Sequence, residues 1–189
     1  MLSTHDALPI SGVDSIGHMH TCGVCANELV SCWGELSHLA PKSGNNFIQA
    51  SSGMGHACAI SKDFKVSCWG RNDYGESSPP SESFLQISSG QSFACGLRPN
   101  GIVQCWGKND VGQSSPPSDI RFKKISSSIG VHACGIATDN DIRCWGNNDQ
   151  GQSETQEGKH RSSLLSCFQK QHVVFSMMAT ILNSCNVHR

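Results

Sequence analysis

Charge is scarce in this chain. Only 15% of its 189 residues are Asp, Glu, Lys or Arg, and the formal net charge is −1. A nucleic-acid partner calls for a basic stripe that meets phosphates, and this balance supplies none. Long apolar runs are also missing. The longest, Val173–Leu182, is interrupted by Ser176 and Thr180, whereas a membrane-crossing helix needs roughly 20 apolar residues. No membrane span is therefore expected in this chain. Residues 1–11 lack the apolar stretch of a signal peptide, and no Asn-x-Ser/Thr acceptor occurs. Catalytic signatures are absent too: there is no nucleophilic Ser elbow, no His-Glu-x-x-His and no phosphate-binding Gly-x-x-x-x-Gly-Lys. No catalytic residue is assigned, and no cofactor is expected.

Cysteine and glycine are plentiful, with 11 and 19 copies. Eight of the cysteines fall into one pattern: Cys, nine residues, then Cys-Trp-Gly. It runs Cys22…Cys32-Trp33-Gly34, Cys58…Cys68-Trp69-Gly70, Cys95…Cys105-Trp106-Gly107 and Cys134…Cys144-Trp145-Gly146, leaving Cys25, Cys167 and Cys185 over. The spacing inside each copy is constant, while the step between tryptophans drifts from 36 (69−33) to 37 (106−69) and 39 (145−106). A period in this range marks a stacked array of supersecondary units.

In the third copy, Pro99-Asn100-Gly101 is a turn signal, because Asn and Gly tolerate positive φ. Folding the chain about Asn100 sets Cys95 opposite Cys105 and Leu97 opposite Val103. The same operation pairs Cys58 with Cys68, Cys134 with Cys144 and Cys22 with Cys32. On the other face Trp106 meets Ala94, Trp69 meets Ala57, Trp145 meets Ala133 and Trp33 meets Thr21. A small residue opposite each indole leaves room for the ring to lie across the partner strand. Both faces of the hairpin are apolar or sulfur-bearing, which predicts sheets stacked face to face like propeller blades. The segments Phe47–Gly53, Phe84–Gly90 and Phe122–Ser128 are expected to add an inner strand, and the Asn-Asp-x-Gly segments at Asn72, Asn109 and Asn148 to close each unit as turns. The first copy reads Glu35-Leu-Ser-His-Leu39 there and is degenerate.

The expected fold is all-β: a propeller-type array of four short repeats, a partial propeller with non-repeat tails. The repeats are placed at about 12–46, 47–83, 84–121 and 122–156. Residues 1–11 match nothing in the repeat and read as a tail of artefactual origin. Residues 157–189 lose the pattern and are expected to be disordered or artefactual.

The four cysteine pairs are read first as disulfides within each hairpin. Each would close a loop of about eleven residues, worth roughly 2.8 kcal/mol in the chain-entropy model. Directly opposed Cβ atoms at about 4.5–5.5 Å would strain a bond that wants about 3.8 Å. Reduced core thiols and a metal or redox role remain as alternatives. The latter centres on Cys22-Gly-Val-Cys25 with His18 and His20 beside it, and falls short of the two spaced ligand pairs usual for structural zinc, so no metal site is assigned. His20, His56 and His132 stand two residues before the first Cys, where the third copy has Phe93; a place that accepts Phe is a packing position. Trp33, Trp69, Trp106 and Trp145 are assigned to the core. Calcium at Asn-Asp-x-Gly would need six or more oxygen ligands, and each turn supplies three oxygen-bearing residues.

Ile87-Ser-Ser-Gly90, His56-Ala-Cys58 and Cys105-Trp-Gly-Lys-Asn-Asp-Val-Gly-Gln-Ser-Ser-Pro-Pro117 together resemble the ectodomain repeats of CRINKLY-type plant receptor-like serine/threonine kinases. Those repeats are similar to a shortened regulator-of-chromosome-condensation propeller repeat. The likeness covers residues 12–156. It implies disulfides at the eight repeat cysteines and a non-catalytic module that senses a peptide or protein ligand on the extracellular face of the plasma membrane. It implies seven repeats, a membrane span and a cytoplasmic kinase as well. This chain departs from that pattern, with four repeats, no signal peptide, no span and no kinase motif, and is expected to be an internal fragment. No ligand-contacting residue transfers; the hairpin tips Ser61–Lys65, Arg98–Ile102 and Ala137–Asp141 are the places to look. An intracellular chromosome-condensation-regulator-like scaffold or exchange factor is the alternative, and a small metal or redox cysteine module a second one.

Overall fold

The structure is a computed structural model and describes residues 15–35, 46–127 and 129–154. The expectations for residues 1–11 and 157–189 lie outside them. Twelve strands form four three-stranded antiparallel sheets in chain order. Blade 1 holds β1 (Ser15–Ile16), β2 (His20–Val24) and β3 (Val30–Gly34); blade 2 holds β4 (Phe47–Ser52), β5 (His56–Ser61) and β6 (Val66–Gly70). Blade 3 holds β7 (Gln86–Ser89), β8 (Phe93–Leu97) and β9 (Val103–Gly107), and blade 4 holds β10 (Phe122–Ser127), β11 (His132–Ala137) and β12 (Ile142–Gly146). No helix occurs among the described residues, and so none is long and apolar enough to cross a membrane.

The register read from the hairpin symmetry holds in all four blades, with Cys opposite Cys and Trp opposite Ala or Thr. The turns that set it are three-residue loops rather than two-residue Asn-Gly turns. Phe64 N–H donates to Ser61 O and Ser61 N–H to Lys65 O, and the last loop residue is left-handed: Glu28, Phe64, Gly101 and Asn140, with φ of 65°, 63°, 80° and 72°. Asn100 itself stays in the right-handed region and uses its Oδ1 to accept the Ile102 N–H at 3.1 Å.

This loop fixes which pairs exchange hydrogen bonds. Ser61 N–H to Lys65 O and Arg71 N–H to Gly55 O are bonded positions; by the alternation of an antiparallel ladder, Cys58 and Cys68 fall between them. Such non-bonded pairs approach most closely, and all four cysteine pairs have Cα separations of 4.0–4.1 Å. The Cβ misfit expected for opposed residues is therefore relieved by their place in the ladder.

Each core cluster lies between two blades. The Cys–Val face of blade 1 (Cys22, Val24, Val30) packs on Phe47, Ala50, Ala57 and Trp69 of blade 2. Cys58 and Ile60 meet Phe84, Ile87, Ala94 and Trp106, and Cys95, Leu97 and Val103 meet Phe122, Ile125, Ala133 and Trp145. A Phe and a Trp tilt together in the later interfaces, with ring centroids 5.8 Å apart for Phe84–Trp106 and 5.7 Å for Phe122–Trp145. Each fully buried Phe is worth about 1.5–3 kcal/mol.

The glycine of Cys-Trp-Gly has a steric reason. Gly34, Gly70, Gly107 and Gly146 all have φ of 97–98°, where an L side chain strains the backbone. A Cβ on Gly107 would also stand 2.6 Å from Ser92 O. We expect Gly107→Ala to lower the denaturant midpoint by the equivalent of at least about 1–2 kcal/mol; an unchanged midpoint would refute this role for the signature glycine.

Candidate interaction surface

The blades have two unlike ends. At one end lie the inner turns and the Asn-Asp-x-Gly loops; at the other lie the hairpin tips and the first residues of β4, β7 and β10. Three sets of contacts hold the ends in register, and none involves a catalytic arrangement.

The first set is a polar ladder between inner strands. Gln49 donates its Nε2 to Ile87 O at 3.0 Å and accepts the Ile87 N–H at Oε1, also at 3.0 Å. Gln86 brackets Ile125 in the same way, at 2.8 and 2.9 Å. Ser51 Oγ accepts Ser89 N–H at 2.9 Å, and Ser88 Oγ accepts Ser127 N–H at 2.7 Å. In blade 4 the Gln position is Lys124, and it is exposed.

The second set pins each closing loop to the next blade. Trp106 Nε1–H donates to Glu76 O at 3.0 Å and Trp145 Nε1–H to Gln113 O at 3.1 Å. Among the described residues Trp69 Nε1 is buried without a partner, and the first copy lacks the loop motif in its sequence. The loops saturate themselves: Asn72, Asn109 and Asn148 accept the N–H of Ser77, Ser114 and Ser153, each at 2.9 Å. Gln113, 1% exposed, accepts from Val111 N–H and donates to Asp110 Oδ1 at 2.9 Å. Glu76 stands in the same place, 1% exposed, and accepts from Tyr74 N–H at 2.8 Å, but its Oε1 has no partner.

The third set is the histidine position. His56 is fully buried with both ring nitrogens unpartnered. Burial, with the nearby His20 adding to it, holds its pKa down to about 4. Burial also lowers the pKa of His20 and His132.

The sulfurs of Cys22–Cys32, Cys58–Cys68, Cys95–Cys105 and Cys134–Cys144 lie 2.01–2.12 Å apart, at disulfide distance. Cys25 is disulfide-bonded as well, so neither sulfur of Cys22-Gly-Val-Cys25 is a free ligand. Trp69, Trp106 and Trp145 are buried and Trp33 half-buried.

The tip end carries the sequence differences. Glu28 pairs with Lys62 across blades 1 and 2, Arg98 with Glu82 at 2.5 Å, and Arg143 with Asp139 and Asp141 at 3.3 Å. Ile48, Phe64 and Leu85 are exposed there, at 40%, 42% and 48%. The tips were marked by their variation between copies. The residue after each leading Phe was not, because a bulge between Phe47 and Gln49 and between Phe122 and Lys124 breaks the alternation by which a strand's outward residues are found. The Gln bracket was missed as well; its signal is Phe-x-Gln-x-Ser-Ser in two copies, whose partners lie a whole repeat away.

Three stretches, residues 47–76, 84–113 and 122–152, match the Regulator of chromosome condensation (RCC1) repeat. These three stretches are RCC1-like. Blade 1 lies outside the matched stretches. Among solved structures, the ectodomain of the Physcomitrella patens receptor kinase CR4 is 28% identical, with a TM-score of 0.67 over 80% of this chain and 45% of that one. The CRINKLY WD40 ectodomain of the Arabidopsis thaliana receptor kinase ACR4 is 26% identical, with a TM-score of 0.60 over 70% and 48%. Prp20p from Saccharomyces cerevisiae, which binds Gsp1p and histones, shares the fold at 15% identity and a TM-score of 0.61, over 75% and 44%. The chain thus spans a little under half of each of these structures. No curated protein matches it.

Two outcomes are expected of the closing loops and the buried histidine. Glu76→Gln supplies the amide that Gln113 uses and should raise stability by about 1–2 kcal/mol; a lower unfolding midpoint would contradict the reading of Glu76 as an unsatisfied carboxylate. The His56 ring is neutral in the fold down to about pH 4 and in the unfolded chain only above 6.5. Its contribution is therefore complete above pH 6.5 and lost as pH falls from 6.5 to 4, at most about 3 kcal/mol. Denaturant titrations across that window should show a shallower acid loss for His56→Phe, the residue type that Phe93 places at the same position.

Proposed function

We propose that this chain is a non-catalytic protein-interaction module of the extracellular kind, part of a CRINKLY-type receptor-kinase ectodomain, that takes a peptide or protein ligand. The array is read as residues 12–156. The observation that carries the proposal is the set of four cysteine pairs, one per blade, each at the closest-approach position of its hairpin and at disulfide distance. Disulfides persist in oxidising compartments, and likeness to two receptor-kinase ectodomains points the same way. The framework bonds of the RCC1-like repeats are used up within and between blades, which leaves ligand binding to the exposed, variable tips. The alternative, an intracellular scaffold of the RCC1 type, requires these pairs to be thiols. A metal or redox role for Cys22 and Cys25 requires free sulfurs that the structure does not provide.

Non-reducing peptide mapping of the secreted chain should find Cys58–Cys68, Cys95–Cys105 and Cys134–Cys144 linked. Free thiols at these positions in the native protein would sink the extracellular reading and favour the intracellular scaffold.

A further inference from the structure

Ile48, Leu85 and Lys123 occupy one structural position in three consecutive blades, the residue after the buried Phe that opens the inner strand. All three are exposed at the tip end. Backbone bonds tie the row together within and across blades. Phe64 O accepts Phe84 N–H at 2.9 Å, beside Leu85; Lys62 N–H donates to Asn46 O at 2.9 Å, two residues before Ile48; and Gly101 O accepts Phe122 N–H at 2.8 Å, beside Lys123. Phe64, itself exposed, brings its carbonyl to the residue before Leu85. The buried side of each blade repeats faithfully, whereas this outward row changes character along the array: apolar, apolar, basic.

The basic end has a cationic excess. Arg121, Lys123 and Lys124 have no carboxylate partner among the described residues. Arg121 lies along the tip of blade 3, where a Cβ on Gly101 would meet its Cβ at 3.2 Å and Cδ at 3.4 Å. Lys123 Nζ donates only to the neutral Asn140 Oδ1, at 2.8 Å. The carboxylates of Asp139 and Asp141 in the same blade are taken by Arg143. Arg143 balances only one of these two charges, so with Asp119 counted the tip of blade 4 carries a net +1 (Arg121, Lys123, Lys124 and Arg143 less Asp119, Asp139 and Asp141) in a chain whose net charge is −1.

We infer that this row is the ligand-reading surface and that it takes an extended polypeptide segment with apolar residues at one end and carboxylates at the other. The apolar end lies over Ile48, Phe64 and Leu85, and the carboxylates meet Lys123 and Arg121. The charge complementarity sets the direction of the segment across the blades, and the apolar residues supply the buried area. The inference rests on the interaction-module reading and names its ligand class.

The test uses the full oxidised chain and a fluorescein-labelled peptide of leucines, a Gly-Ser spacer and a run of glutamates. Fluorescence anisotropy should show saturable binding that falls with added salt. The double variant Arg121→Glu/Lys123→Glu should weaken it about tenfold or more, and Leu85→Ser about fivefold. A peptide with lysines in place of the glutamates should bind the charge-reversed variant better than the parent chain, a swap that a purely structural role would not produce. All three substituted residues are exposed, so an unchanged unfolding midpoint checks that the variants fold. No binding of the glutamate peptide, or binding that neither variant changes, overturns the inference. So does capture of the chain by phosphatidylserine vesicles through Arg121 and Lys123 without peptide binding, which would mark a membrane-facing surface. Binding that instead maps to Tyr74 and Val111 on the closing loops would overturn this row while leaving the interaction module standing.

Discussion

Every interface in the array joins two unlike surfaces: the sulfur-and-aliphatic face of one hairpin and the Phe-Ala-Trp face of the next. Burial on both faces leaves a blade with no stable existence as a single sheet, because one apolar side would stay wet. The disulfide belongs to this constraint. It lies inside the interface, at the closest-approach position of the ladder, on the surface against which the next aromatic pair packs. The indole then spans the boundary with its ring in one cluster and its N–H on the preceding blade's loop.

Polar groups are handled by the same logic of neighbouring blades. A Gln side chain that donates to the carbonyl and accepts from the N–H of one residue in the next blade satisfies two backbone groups of that inner strand. The Ser–Ser contacts do likewise one step further along. Where the pattern slips, the cost appears locally: the indole of Trp69 meets no carbonyl among the described residues, and the carboxylate of Glu76 replaces an amide that had a use for both its ends.

The hairpins were readable from the chain because their information is local. Ten residues separate the cysteines, a turn lies midway, and opposing residues follow by subtraction. Trp and Gly were readable as members of the signature, though the reason for Gly is a backbone angle that composition does not display. The inter-blade bonds were not readable, since Gln49 and Ile87 are 38 residues apart and neither looks unusual in its own segment. The tip surface was half visible. Variable loops announced themselves, while Ile48, Leu85 and Lys123 were hidden by a bulge that shifts them out of strict alternation. Residues whose role depends on a register change are the ones that a period-two reading misplaces.

The bracketing Gln contacts only main-chain atoms, and main chain is the same in every blade. An interior blade could therefore change places with another and still find its bonds, whatever its tips carried. Blade 4 differs from blades 2 and 3. Lys124 can give a hydrogen to a carbonyl but cannot receive one from an N–H, so a blade bearing it cannot clasp a successor as Gln49 and Gln86 do. One side chain thus sets blade 4 apart from blades 2 and 3.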